Sequence, residues 1–348
     1  MLSLLCTALL VAEPLPNTQP LEAKGDLALE MVEGMHRYLD REIAASAAER
    51  DKLWKLTEED YEKQIAPRRE RFKRMLGLLD ERVKFDDPEF AGFYHSNFLN
   101  ESASFRIHSI RWWVLPGVEG EGILVEPKGK VIGQVVLIPD AVQIPENLAE
   151  FGRKDDYRQS LAIHLSEFGF RVVVPVLIDR ESTFSGNVRL NRKTNIPHRE
   201  FVYRMAYEMG RSLIGYEVQK VLSVVDWFQR RDPKLPIGVM GIGQGGQIAF
   251  YAGAVDPRIA VTNVCVYFNK REGVWQEPID RNLWGQLREF GDAEIAKLIL
   301  PRKLLIDPVP GGERDKTLWS ERYWRKWDVP GPTKQSGQEA TGRVGEIA

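Results

Sequence analysis

Residues 238–247 read G-V-M-G-I-G-Q-G-G-Q, and this stretch constrains the fold more strongly than any other part of the chain. An apolar run leads into it and the apolar segment I-A-F-Y-A follows it, a pattern that predicts a strand, a sharp turn and a helix in direct succession. Glycine favours such a turn because a residue without a Cβ atom adopts positive φ at little cost. The middle residue of the predicted turn, Gly243, is itself a glycine.

The same alternation of apolar runs and helical patterns continues through the central part of the chain. The runs V-I-G-Q-V-V-L-I-P-D, which ends at Asp140, and F-R-V-V-V-P-V-L-I-D, which ends at Asp179, are typical of strands buried on both faces. The helical segments that we expect cover about residues 145–168, 199–230, 244–254 and 281–298. This order predicts an α/β fold with a doubly wound, mostly parallel sheet, whose ligands bind at the carboxyl ends of the strands.

Shifts in composition divide the chain into four parts. Residues 1–12 read M-L-S-L-L-C-T-A-L-L-V-A, which favours a signal segment, although no Lys or Arg precedes the apolar run and a frayed N-terminus is the alternative. We expect an N-terminal helical region over 25–100, the α/β domain over 101–310 and an irregular C-terminal tail over 311–348. A signal peptide would imply export, to the periplasm or outside the cell; without one the protein would be cytoplasmic.

Charge and cysteine content exclude several classes of partner. The formal net charge is −2, so no overall field attracts nucleic acid or an anionic membrane surface. No segment is long and apolar enough to predict a stable membrane span. The two cysteines, Cys6 and Cys265, are not expected to form a disulfide, and no Cys/His cluster indicates a metal site. We predict neither a metal nor a cofactor.

The glycine turn resembles the nucleophile elbow of the α/β hydrolases. The matching run is I-G-V-M-G-I-G-Q-G-G-Q-I-A-F-Y-A-G-A-V-D-P-R-I, and V-V-L-I-P-D-A-V-Q and L-P-R-K-L-L-I-D support the resemblance elsewhere. The branch that the sequence most resembles contains the dienelactone hydrolases and the acetylxylan-esterase-like proteins. The resemblance covers about residues 105–309 and implies an α/β-hydrolase-like domain with an appended N-terminal helical region.

The resemblance also implies a catalytic triad, and this sequence departs from it. Family members place a Ser or Cys nucleophile, an acid and a histidine in that chain order. Gly243 stands at the nucleophile position and has no side chain that could attack an ester. Asp307 best matches the acid, although an Asp before Pro308 also suits a turn. All five histidines precede the glycine turn, and His198 is the candidate base among them.

Backbone donors and loop residues complete the predicted site. By resemblance, the oxyanion hole uses the N–H groups of Ala141 or Val142 and of Gln244. A long polar loop over 179–199 is typical of a binding loop. The candidate binding residues are Asp140, Ser185 and Asn187. A small-molecule or carbohydrate ester is the ligand that these groups suit.

Three hypotheses for function stay open at this point. In the first, the chain has an α/β-hydrolase fold, lacks a complete triad, and serves in binding or scaffolding. In the second, it is an active carboxylic-ester hydrolase that acts on a polar or sugar ester with residues not identified by the motif. In the third, the G-x-G-x-x-G spacing of residues 241–246 marks a nucleotide-binding module, although no acidic strand end follows about 20 residues later.

Overall fold

The computed structural model of this chain describes residues 16–19, 25–57, 59–90, 99–149, 160–187, 189, 191–268 and 271–307. The predicted signal segment and the predicted C-terminal tail lie outside these residues, so both stay predictions. The chain divides into two units, residues 1–46 and 47–348. The described part of the first unit is largely the beginning of a helix with mostly exposed side chains, and the second unit contains the sheet.

The helices and strands have the following bounds. The helices are α1 (Leu27–Leu53), α2 (Tyr61–Leu76), α3 (Leu161–Glu167), α4 (His198–Glu208), α5 (Leu213–Arg231), α6 (Gln244–Val255), α7 (Gln286–Glu289) and α8 (Asp292–Ile299). The strands are β1 (Glu89–Phe90), β2 (Asn100–Glu101), β3 (Phe105–Leu115), β4 (Val118–Pro127), β5 (Gly133–Ile138), β6 (Phe170–Pro175), β7 (Gly186–Asn187), β8 (Arg192–Lys193), β9 (Ile237–Ile242), β10 (Ile259–Cys265) and β11 (Lys303–Asp307).

The main sheet is mixed, with its parallel strands on one side. The strand order is β1-β3-β4-β6-β5-β9-β10-β11, and β2 pairs with β3. The pairs from β6 through β5, β9 and β10 to β11 are parallel, whereas those from β1 and β2 through β3 and β4 to β6 are antiparallel. The predicted α/β fold is therefore confirmed, with an antiparallel half beside the parallel one. Every residue of β5 and β6 is buried, as their continuous apolar runs predict.

Helices cover both faces of this sheet. Alternate residues of β5 face opposite sides, so Val136 and Ile138 pack with α2, α5, α6 and α8 in the larger core cluster. Val135 and Leu137 pack with α3 and with Leu148 in the smaller cluster. Two apolar layers therefore enclose the central strand, and its carboxyl end is fixed from both sides.

Two of the predicted helices are interrupted at glycines. Gly210 has a φ of +65°, and Ser212 caps the following helix by accepting a hydrogen bond from the N–H of Gly215, so the predicted helix over 199–230 is α4 followed by α5. Gly285, at a φ of +68°, precedes α7, which ends before α8 begins.

No helix among the described residues is long and apolar enough to cross a membrane.

Candidate active site

Gly243 lies between β9 and α6 in the sharp turn that the sequence predicts. Its φ and ψ are 57° and −116°, a combination that strains any residue with a Cβ atom. Its N–H donates to the carbonyl of Cys265 at 3.0 Å, which ties the turn to the neighbouring strand. A Cβ atom at Gly245 would overlap the carbonyl of Ile138, so the first turn of α6 packs directly against the end of β5. Glycine avoids backbone strain at residue 243 and permits the close approach of two backbones at residue 245.

The carboxylate of Asp140 occupies the space beside this turn. Asp140 follows β5, and its Oδ2 accepts the N–H of Gln244 at 2.8 Å while its Oδ1 accepts the N–H of Val142 at 3.1 Å. A Cβ atom built on Gly243 would overlap Oδ2 and lie 3.0 Å from Cγ of Asp140. We call these four residues, Asp140, Val142, Gly243 and Gln244, the elbow. Two of the three N–H groups named as candidate oxyanion donors, those of Val142 and Gln244, therefore bind a carboxylate of the same chain.

Two arginines reach the side chain of Gln244, which is fully buried. Its Oε1 accepts hydrogen bonds from Nη2 of Arg180 at 3.1 Å and from Nε of Arg281 at 2.8 Å. Each guanidinium also has an acidic partner, Asp280 for Arg180 at 3.1 Å and Glu277 for Arg281 at 2.8 Å. By contrast, no Lys, Arg or His in the described part of the chain forms an ion pair with Asp140.

A buried ion cluster lies behind Arg180. Arg199, which is fully buried, makes two hydrogen bonds of 2.8 Å to the carboxylate of Glu217 and one of 2.6 Å to Asp280. Burial alone would lower the pKa of Arg199, but Glu217 and Asp280 raise it above its ordinary value. We call Arg199, Glu217 and Asp280 the buried ion cluster. Because Asp280 binds Arg180 and Arg199 together, the cluster positions Arg180 against Gln244.

His198, the candidate base, has both ring nitrogens engaged by the loop that precedes α4. Its Nδ1 lies 2.6 Å from Oδ1 of Asp179, and its Nε2 accepts the N–H of Phe184 at 2.7 Å. A backbone N–H can only donate, so Nε2 is the acceptor and Nδ1 carries the proton. The ring also stacks on Phe184 at 5.4 Å between centroids. These contacts fix a loop, and none of them reaches the elbow.

Asp307 lies at the end of β11, two strands from Gly243. It is in register with Cys265 of β10, whose Sγ lies 3.4 Å from Oδ2 of Asp307. The carbonyl of Asp307 accepts the N–H of Val266 at 3.1 Å. This is the strand end where the resemblance places an acid, and the role of Asp307 as a catalytic acid stays a prediction.

The remaining predicted residues have separate surroundings. Ala141 is buried beside Val142, whose side chain is exposed. Ser185 is buried, and its hydroxyl has no hydrogen-bond partner in the described part of the chain. Asn187 belongs to β7, which pairs with β8 in a two-stranded sheet of its own. The structure thus groups Asp140 with the N–H groups of Val142 and Gln244, and the binding roles of Ser185 and Asn187 stay predictions.

Sequence reasoning missed the arginines of the site. Arg180 directly follows Asp179 after β6, and this position near the end of a strand could have marked it as a candidate site residue. Arg281 lies in a 3-10 turn over Ile279–Arg281, and nothing in its local sequence points to Gln244. Within the described residues, no group of three or more His, Cys, Asp or Glu side chains could hold a metal ion.

Comparison with known proteins identifies the fold. No protein-family model and no curated protein sequence matches the chain. Among solved structures, a protein from Bacteroides fragilis assigned as an acetyl xylan esterase matches with a TM-score of 0.59 at 14% identity, over 84% of this chain and 90% of that one. A methylesterase matches with a TM-score of 0.53 at 14% identity, over 87% of this chain and 66% of that one.

A glucuronoyl esterase from Solibacter usitatus also matches, with a TM-score of 0.50 at 14% identity, over 76% of this chain and 81% of that one. The fold is that of the α/β hydrolases. The α/β-hydrolase-like fold predicted from the glycine turn is confirmed by these neighbours, and membership of the superfamily and of its dienelactone-hydrolase branch stays a prediction. At this level of identity the likeness establishes the architecture alone.

Proposed function

We propose that this protein has an α/β-hydrolase fold with an incomplete triad and binds a carbohydrate ester or a related small polar ligand without hydrolysing it. One observation carries the proposal: the carboxylate of Asp140 takes up the space in which a side chain at residue 243 would lie. Gly243 supplies no nucleophile, and the N–H groups of Val142 and Gln244 are bound to Asp140. The carbohydrate esterases among the structural neighbours support the choice of ligand class.

The position of Asp140 opposes ester hydrolysis on electrostatic grounds as well. Hydrolysis of an ester develops negative charge on the carbonyl oxygen, which active members of the fold stabilise with two N–H donors. Removal of one such donor from an enzyme costs roughly 100- to 1,000-fold in rate. At the elbow the candidate donors of Val142 and Gln244 are occupied, and the occupant is itself an acidic group that repels a developing oxyanion.

Turnover of p-nitrophenyl acetate tests this proposal. The wild-type protein should give no turnover above background, and Gly243→Ser should gain little because both ring nitrogens of His198, the candidate base, are engaged away from residue 243. The double variant Gly243→Ser/Asp140→Ala frees the donors and is the matched comparison for both. Robust wild-type turnover that a serine-directed reagent abolishes would contradict the proposal, and a large gain in Gly243→Ser would indicate a base that reaches residue 243.

A second candidate function, an active ester hydrolase, is supported by one feature of Asp140. Its carboxylate lies beside Gly243 and has no cationic partner among the described residues, so it could accept a proton from a water molecule. Under this hypothesis the wild-type protein hydrolyses the ester and Asp140→Asn abolishes the activity. Under the first proposal neither protein shows turnover.

The nucleotide-binding hypothesis has less support, because N–H groups that a phosphate would use already have partners. The N–H of Gln244 donates to Asp140, and that of Gly246 donates to the carbonyl of Gly243 at 3.0 Å. A rise in the melting temperature of the protein with millimolar NAD or ATP would support the nucleotide-binding hypothesis.

A further inference from the structure

A cavity lies apart from the elbow. It has a volume of about 380 Å³ and lies among the end of α2, the end of α4 and residues 282–284. None of the four elbow residues lines it. The volume falls within the range of roughly 300–1,000 Å³ that small-molecule sites in proteins occupy. We call it the arginine cavity, after Arg71, Arg74 and Arg211 in its wall.

Two of these three guanidinium charges are cancelled by acidic groups. Arg71 makes hydrogen bonds of 2.8 and 2.6 Å to Glu289, and Arg211 makes hydrogen bonds of 2.7 and 2.6 Å to Asp80. These bonds lower the pKa of Glu289 and of Asp80, so both carboxylates are ionised at neutral pH. Neither ion pair therefore carries a net charge that would attract a charged ligand.

The third guanidinium is uncompensated. Arg74 is exposed in the last turn of α2 and has no acidic partner in the described part of the chain. No Asp or Glu lines the cavity. The wall therefore carries one net positive charge, which matches a ligand with a single negative charge. Arginine is suited to that role because its fork of N–H donors binds both oxygens of a carboxylate.

Aromatic rings form another part of the wall. Trp284 is 72% exposed, and Tyr207 is also exposed. Tyr203, 6.0 Å from Tyr207 between ring centroids, is buried apart from its contact with the cavity. Burial raises the pKa of Tyr203, so its hydroxyl keeps its proton at neutral pH and remains a hydrogen-bond donor. Flat apolar faces beside a polar donor suit a ring-shaped ligand that also carries hydroxyl groups.

We propose that the arginine cavity binds a six-membered ring compound that carries a single carboxylate, with the carboxylate on Arg74 and the ring against Trp284 and Tyr207. This inference rests on the binding role proposed above and adds to it a site and a charge. A sugar acid and an aromatic acid share this chemistry. A neutral sugar would leave Arg74 without a partner, and a doubly charged phosphate would need a second uncompensated cation.

Calorimetric titration with sodium glucuronate and sodium benzoate tests the inference, with glucose and inorganic phosphate as reference compounds. At millimolar concentration at least one of the two acids should bind to the wild-type protein, and glucose and phosphate should bind less tightly. Arg74→Gln should weaken binding of the acid about tenfold or more. Trp284→Ala should weaken it several-fold.

Lys73→Gln is the matched control, because Lys73 lies one residue away on the same helix, loses the same charge and is outside the cavity wall. The affinity of Lys73→Gln for the acid should equal that of the wild type. Three results would overturn the inference: no binding of either acid, equal binding of glucose, or equal losses in Arg74→Gln and Lys73→Gln. Turnover of p-nitrophenyl acetate separates the two proposals, since absent binding without turnover overturns only the cavity, whereas turnover overturns the non-catalytic role.

Discussion

At the elbow, the carboxylate of Asp140 is bound by two N–H groups of its own chain, whereas at the arginine cavity Arg74 has no acidic partner among the described residues. The elbow keeps the backbone conformation at Gly243 that an α/β hydrolase needs, but its donors are already occupied. The cavity has no inherited motif, yet it presents a charge and the exposed ring of Trp284 to solvent. The glycine turn therefore indicates the fold of the chain. Whether a region can bind a ligand depends on which of its polar groups lack a partner within the chain.

We expect the largest loss of stability from a change in the buried ion cluster, which contacts residues of both regions. Asp280 binds Arg199 and also Arg180 of the elbow surroundings, and Tyr203 of the cavity wall lies on α4 with Arg199. Glu217→Ala leaves Arg199 short of its bidentate partner in a dry environment, which we expect to cost about 3–5 kcal/mol of unfolding free energy. Urea denaturation measures the loss.

Glu200→Ala is the control for that variant, because Glu200 pairs with the exposed Arg204 on the surface of α4. Exposed pairs contribute about 0–1 kcal/mol, so this change should be small. If both variants lose the same stability, the cluster does not hold the two regions together.

Local sequence predicts the fold of this chain better than its site. The buried runs of β5 and β6 and the glycine turn are local patterns, and the structure contains the strands and the turn that they predict. The partner of Asp140 is 104 residues away in the chain, at Gln244. No periodicity encodes such a contact, because it depends on the neighbouring positions of β5 and β9 in the sheet.

The role of His198 shows the same limit. Its position in a polar loop made it a candidate base, but the choice between a base and a structural residue depends on what its two nitrogens contact. Those partners, Asp179 and Phe184, are 19 and 14 residues away and are brought close by the path of the loop. The residue type marked His198 as a candidate, but the sequence did not show which groups its ring contacts.

Gly243→Ala should show how tightly the elbow is filled. The substitution forces a Cβ atom into a strained conformation and against Oδ2 of Asp140, and we expect it to cost about 3 kcal/mol. Gly117→Ala is the matched control, since Gly117 has a φ of +75° with nothing within 4 Å of its added Cβ atom. It should cost about 1 kcal/mol, from the backbone alone.

Adding Asp140→Ala to each glycine variant isolates the contact. The second change should restore part of the stability lost in Gly243→Ala and none of that lost in Gly117→Ala. Equal costs for the two glycine substitutions would show that Asp140 moves aside freely, and the elbow would then be open to a ligand.

Lys220, next to the buried ion cluster, should make stability depend on pH. Burial lowers its pKa to about 8, partly offset by Glu217 and Glu121, and its Nζ donates to the carbonyl of Val176 at 2.6 Å. Between pH 8 and its ordinary value near 10.5, the unfolded chain binds a proton that the folded chain does not, so stability rises with pH in that window.

Lys220→Met removes this titration. We expect the stability of the wild type relative to Lys220→Met to increase by about 2 kcal/mol between pH 7 and pH 10, since one pKa unit corresponds to about 1.4 kcal/mol. Using the difference between the two proteins cancels the other titrating groups. A difference that is constant over this range would place the pKa of Lys220 near its ordinary value.

His198→Leu should separate loop structure from catalysis. The variant leaves the N–H of Phe184 without its acceptor and Asp179 without its donor, and we expect a loss of about 1 kcal/mol in thermal unfolding. Hydrolysis of p-nitrophenyl acetate by Gly243→Ser should be the same with and without this change. A fall in that rate on loss of His198 would show that the histidine reaches the elbow.

Arg74→Gln should have the smallest effect on stability of the substitutions considered. Its small cost contrasts with the cost of Gly243→Ala at the elbow. Arg74 is exposed and contributes no ion pair to the described part of the chain, so its removal should change the unfolding free energy by less than about 0.5 kcal/mol. At the elbow, filling the space beside Asp140 destabilises the fold; at the cavity, the charge can be removed while the fold is kept. Thermal unfolding without ligand and with the bound acid checks this, because the wild type should gain more stability from the acid than Arg74→Gln does. A large loss in the absence of ligand would mean that Arg74 serves the fold, and the distinction between the two regions would fail.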